Sequence, residues 1–145
     1  MYRQLEKLIT HTSNELNLVS RHLSQRTELS PDHIDLLSIL FDYSKLSQYD
    51  LTMKLNKEQS IVSRWIKKLC KLGYIMSIQN KTDLRCKDLI ITEKSKLLIQ
   101  QINDSRVALI EARCQSLSQE DILLFQMLLL KLSSLDQYKQ NGPRL

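Results

Sequence analysis

Gln59-Ser60-Ile61-Val62-Ser63-Arg64-Trp65-Ile66-Lys67-Lys68-Leu69-Cys70-Lys71-Leu72-Gly73-Tyr74-Ile75 is the stretch on which the fold turns. Ile61, Val62, Trp65, Ile66, Leu69 and Leu72 recur at helical spacing, so a helix with one buried stripe is expected over 57–72. The opposite face, with Ser60, Ser63, Arg64, Lys67, Lys68 and Lys71, is neutral or basic throughout. Asn56 is placed to cap the start of this helix, with Gln59 at the position that reaches back. Gly73 stands just past its last turn, where a left-handed residue commonly ends a helix.

On the C-terminal side, residues 74–79 and 89–92 are short and rich in Ile, and the polar, basic stretch 80–88 separates them. This pattern predicts a β-hairpin with an extended tip. On the N-terminal side, Ser47-Gln48-Tyr49-Asp50 is a capping signal for a brief helix ending near Leu55. Short helix, turn, basic helix, glycine stop and hairpin together predict a winged helix-turn-helix. In that arrangement a helix fits the major groove of DNA, and a hairpin beside it reaches the neighbouring minor groove.

Charge supports the same region. The chain of 145 residues has a net charge of +5. Residues 54–96 hold eleven basic side chains against four acids, a balance of +7, and no acid occurs from Gln59 through Thr82. The positive excess therefore sits in the middle third and marks a surface for polyanions.

Further out, Leu5, Leu8, Ile9, Thr12, Leu16, Val19 and Leu23 form one stripe of a long first helix. Ser30 caps a second helix that has Pro31 at its first position, with Ile34, Leu37, Leu40 and Phe41 as its buried face. Thr92 is expected to cap a long helix running to about Ser116, and Ser118-Gln119-Glu120-Asp121 opens a last one. There, ten of the fourteen residues from Ile122 to Leu135 are apolar. Such a helix needs burial on most sides, which a single small domain does not offer. A homodimer is expected, with an interface that uses Leu5, Leu8, Ile9 and Leu16 of the first helix. Ile122, Phe125, Leu128, Leu129 and Leu132 of the last helix complete it. The expected organisation is a dimerisation helix at 1–28, a winged domain at 30–92, dimerisation helices at 93–138 and a loose tail at 139–145.

Several function classes are excluded. The two glycines, Gly73 and Gly142, lie too far apart for a Rossmann fingerprint, a P-loop or a nucleophile elbow. No nucleophile–base pair is visible, so no catalytic site and no cofactor are expected. Cys70, Cys86 and Cys114 have no C-x-x-C spacing, which fits a reducing cytoplasm and gives no zinc ribbon. His11 and His22 sit about 16 Å apart along one helix and cannot share an ion. No metal is expected, and no apolar run approaches the ~20 residues of a membrane span.

The quoted helix resembles the recognition helix of the MarR (multiple-antibiotic-resistance regulator) family. The hairpin resembles that family's wing, since Asp83-Leu84-Arg85 followed by Leu89-Ile90-Ile91-Thr92-Glu93-Lys94 fits its D-x-R-x-x-x-(V/L)-x-(L/I)-T-x-K pattern. Ser95 departs from it, standing where a glycine is usual, and Trp65 is heavier than the usual aliphatic, which suggests altered packing between recognition helix and wing. The resemblance implies a transcriptional regulator, a homodimeric repressor of a pseudo-palindromic operator on double-stranded DNA. A small aromatic or anionic ligand would release it from a crevice between the dimer helices and the winged domain.

The resemblance assigns Gln59, Ser60, Ser63 and Arg64 to bases and near phosphates, and Lys67, Lys68 and Lys81 to phosphates, with Lys87 beside them on the wing. Arg85 would enter the minor groove, and Asp83 would fix the wing tip by pairing with an arginine. Asp83 alternatively caps the hairpin turn through its own backbone. Other readings remain: an activator or ligand-independent regulator of the same fold, and a protein-docking helical dimer without DNA binding. A redox regulator using Cys86 is a further one, its thiolate favoured by Arg85 and Lys87 on either side.

Overall fold

The structure, a computed structural model, describes residues 1–133. The tail expected at 139–145 and the last two residues of the apolar 122–135 stretch lie outside the described residues. The elements in chain order are α1 (Tyr2–Ser24), α2 (Pro31–Tyr43), β1 (Leu46–Ser47), α3 (Gln48–Leu55), α4 (Gln59–Lys71), β2 (Ile75–Gln79), β3 (Lys87–Ile91), α5 (Glu93–Arg113) and α6 (Gln119–Ser133). They form two compact units, one spanning Met1–Val107 and the other beginning at Ala108.

The first unit is built around α2. Ser30 caps it by accepting from the His33 backbone N–H at 3.3 Å, and His33 Nδ1 accepts in return from the Ser30 N–H at 3.1 Å. Pro31 follows at the first helical position, where a missing N–H costs nothing. Leu36, Leu37 and Leu40 of α2 are fully buried with Leu51 of α3, Val62 and Leu69 of α4, and Ile99 of α5. Burying each such side chain contributes roughly 1.5–3 kcal/mol, so α2, with three of these seven side chains, is the main support of the unit's interior.

Ser47 caps α3, accepting from the Asp50 N–H at 3.1 Å. Asn56, expected to open the following helix, instead closes α3 in the left-handed conformation, with φ 51°. Asn tolerates that region better than most residues, and α4 then begins after Glu58 without a side-chain cap. The end of α4 is as expected. Gly73 has φ 79°, the Gly73 N–H donates to Cys70 O at 3.1 Å, and the Tyr74 N–H donates to Leu69 O at 2.8 Å, a Schellman ending.

The hairpin forms with Ile75 opposite Ile91 and Gln79 opposite Lys87. A third strand escaped the sequence reading: β1 pairs antiparallel with β3, Leu46 opposite Leu89, giving the order β1-β3-β2. Two residues are too few for a period-2 pattern to show. The pairing ties the base of the wing to the entry of α3.

In the second unit α6 opens with a reciprocal cap. The Asp121 N–H donates to Ser118 Oγ at 3.1 Å, and the Ser118 hydroxyl and N–H donate to Asp121 Oδ2 at 2.8 and 3.1 Å; the hydroxyl first and then the N–H hold the Asp121 carboxyl below its usual range. No residue of α6 is buried. Phe125, Leu128, Leu129 and Leu132 are exposed, as are Leu5, Leu8 and Ile9 of α1 in the first unit, while Leu16 and Ile122 are half-buried. No described helix is long and apolar enough to cross a membrane.

Candidate nucleic-acid interface

The outward face of α4 carries the candidate reading residues together. Gln59, Ser60, Arg64, Lys67 and Lys68 are exposed and Ser63 is half-buried, while Val62, Ile66 and Leu69 hold the helix to the core. None of Arg64, Lys67, Lys68, Lys81, Arg85 and Lys87 makes an ion pair among the described residues. Not all the basic excess is equally available, however. Lys54 Nζ sits 4.0 Å from the centre of the Tyr43 ring, and Lys96 pairs with Glu93 at 2.8 Å.

Trp65 packs differently from the expectation. Its partner is His33 of α2, edge to face with ring centres 6.0 Å apart, so the heavy side chain braces α4 on α2. His33 is buried, and burial, followed by nearby Lys68, lowers its pKa from 6.5, against a smaller opposing pull from Asp32. Because Nδ1 accepts from Ser30, the proton of the neutral ring lies on Nε2, which has no hydrogen-bond partner.

The wing tip is a small hydrogen-bonded scaffold. Asn80 Oδ1 accepts from the N–H groups of Thr82 and Asp83 at 2.9 and 3.0 Å and from the Thr82 hydroxyl at 2.7 Å. Asp83 Oδ1 then accepts from the Arg85 N–H at 3.0 Å. Asp83 thus fixes the tip through its own turn. The arginine pairing that the resemblance implied is not formed, since no ion pair of Asp83 occurs among the described residues. The result is a hydrogen-bonded turn that leaves Lys81, Arg85 and Lys87 exposed.

Asp83 also undoes the thiolate argument for Cys86. Its carboxylate lies 3.6 Å from Cys86 Sγ and pushes the thiol pKa up, by hydrogen bond and charge, although Arg85 and Lys87 are sequence neighbours.

Asp88 is the supporting residue that sequence reasoning missed. It is buried at the start of β3, accepts from Asn80 Nδ2 at 3.2 Å on each oxygen, and pairs with Lys45 Nζ at 3.5 Å. One carboxylate therefore joins the wing tip to the segment entering β1. An Asn at the mouth of a polar tip was the available signal, because Asn organises turns through its side chain.

Apart from the basic face, α1, α2 and α5 enclose a cavity of about 100 Å3 within the first unit. Arg21, Asp35, Ser38 and Arg106 are among its lining residues. Burial and then Asp32 push the Asp35 carboxyl up, while Arg106 and Lys57 pull it down. No group of His, Cys, Asp and Glu that could hold a metal ion occurs among the described residues.

Comparison with known proteins agrees with this geometry. Residues 29–87, from the cap of α2 to the start of β3, match the model of the MarR family. An HTH-type transcriptional regulator of Bacillus cereus is 28% identical over 102 residues, covering 70% of this chain and 67% of the relative. A MarR family protein from Bacillus stearothermophilus superposes with a TM-score of 0.80 at 20% identity, covering 92% of this chain and 93% of that one. Streptococcus pneumoniae FabT, solved in complex with DNA, gives 0.81 at 16% identity, covering 94% and 98%. Over the capped α2, the α3–α4 pair and β2, the chain is thus similar to the MarR family, and it shares the fold of these solved structures along most of its length.

Proposed function

We propose that this chain is a sequence-specific, DNA-binding transcriptional regulator and not an enzyme, acting in the cytoplasm as a homodimeric repressor. The observation that carries this reading is the pairing of an α4 face without acids with a hydrogen-bonded wing tip that leaves Arg85 exposed. Gln59, Ser60, Ser63 and Arg64 read base edges and near phosphates in the major groove. Lys67, Lys68, Lys81 and Lys87 hold phosphates, and Arg85 enters the flanking minor groove. FabT and an E. coli MarR mutant, both similar in fold, were solved with DNA and with operator DNA respectively.

A second copy covers the apolar side chains of α1 and α6, which places two reading heads on a pseudo-palindromic operator about one helical turn, ~34 Å, apart. A small ligand releases the repressor. In the cavity of the first unit, Arg21 and Arg106 beside Asp35 would attract an anionic effector.

The test is selection of duplexes from a random-sequence pool, followed by anisotropy titration of the selected duplex. Enrichment of an inverted repeat, bound far more tightly than bulk DNA, is expected; failure to enrich any sequence would remove the reading.

A further inference from the structure

The strand entry after α4 presents three consecutive carbonyls, Leu72 O, Gly73 O and Tyr74 O, and each is taken by a side chain from the start of α5. Lys94 Nζ donates to Leu72 O at 3.0 Å, Thr92 Oγ1 to Gly73 O at 2.7 Å, and Ser95 Oγ to Tyr74 O. Thr92, expected only to cap α5, thus also reaches across to the end of α4, its Oγ1 lying 3.5 Å from Ser95 Oγ of its own helix. Ser95, in the position where glycine is usual for the family, is fully buried, and its hydroxyl supplies a bond that glycine could not. Lys94 has a second tie, its ammonium lying 4.2 Å from the centre of the Tyr74 ring.

We propose that Lys94 is a positioning residue for DNA reading and not a phosphate contact. This rests on the DNA-binding reading above. Its charge belongs to the basic excess of residues 54–96, yet the ammonium is turned onto the carbonyl end of α4, where a cation also opposes the negative end of the helix dipole. A groove-reading helix must hold its side chains within a fraction of an ångström to keep bidentate base contacts. The grip of Lys94, Thr92 and Ser95 sets the end of α4 against the first turn of α5 directly, without passing through the wing tip.

The test compares wild type with Lys94→Met and Lys94→Arg on two probes, a duplex selected by the wild type from a random pool and poly(dI-dC), over a range of salt. For Lys94→Met, binding to the selected duplex is expected to weaken about tenfold, with poly(dI-dC) binding and the salt slope unchanged. Lys94→Arg, which keeps a donor and a cation that stacks on Tyr74, is expected to restore the affinity. A salt slope flattened by about 0.9, with equal losses on both probes, would make Lys94 a phosphate contact and overturn the proposal. Unchanged affinity on both probes would overturn it too. If no duplex is enriched by the wild type, the DNA-binding reading itself has failed. Should Lys94→Met not fold, Lys94→Gln keeps a donor without the charge and is read by the same outcomes.

Discussion

Asn80 Nδ2 donates to both carboxylate oxygens of Asp88 at 3.2 Å, across the mouth of the wing tip, while Lys45 Nζ closes on Asp88 Oδ2 from the other side at 3.5 Å. A buried carboxylate held by two partners is costly to remove, because both partners lose their acceptor. Asp88→Ala is therefore expected to destabilise the fold by about 1–3 kcal/mol and to loosen the 80–86 tip. Denaturant unfolding with hydrogen exchange at Thr82 and Asp83 checks this; a wild-type midpoint with unchanged protection of those amides would show that the turn holds without Asp88.

Arg85 is presented by a turn whose bonds come from Asn80 and Asp83 and not from the Arg85 side chain itself. Arg85→Ala is accordingly expected to leave the melting temperature unchanged and to weaken binding of the selected duplex by about 1–3 kcal/mol. An anisotropy titration measures it, and undiminished affinity would exclude Arg85 from the minor groove.

Leu128 lies in an α6 with no buried residue. In the dimer reading Leu128→Asp puts an unpaired charge into an apolar seam. Light scattering is expected to show monomers, or circular dichroism a loss of the folded species, and a monodisperse folded dimer would put the interface elsewhere.

His33 gives a pH dependence whose sign follows from its neutral state. Burial, then Lys68, lowers its folded pKa from 6.5, so below that value the unfolded chain binds the proton more readily and stability falls as the pH falls. Protonation also removes the Nδ1 lone pair that accepts from Ser30. The wild-type melting temperature is expected to hold above about pH 6.5 and to decline below it, and His33→Gln to flatten that decline. An equal decline in the variant would assign the effect to other groups.

What could be read in the sequence, and what could not, divides by the range of the interactions. The cap at Ser30, the reciprocal cap of Ser118 with Asp121, the stop at Gly73 and the stripe of α4 depend on neighbours within one or two turns, so residue order reveals them. The roles of Asp88, Thr92, Lys94 and Ser95 depend on partners eight to forty-three residues away, and apart from the turn signal of Asn80 near Asp88 nothing local marks them. Asn56 shows the intermediate case: one residue could end α3 or begin α4, and its φ of 51° chose the former. Trp65 was legible as a core side chain, but its partner His33 is set by how α4 crosses α2.

The central claim is a dimer whose two α4 helices and two wings read one operator. Hydroxyl-radical footprinting of the selected duplex tests it most directly. The account predicts protection with two-fold symmetry, with two recognition-helix sites about one helical turn, ~34 Å, apart and protected minor grooves flanking them that are lost in Arg85→Ala. A single unsymmetrical patch, or flanking protection that persists in Arg85→Ala, would contradict it.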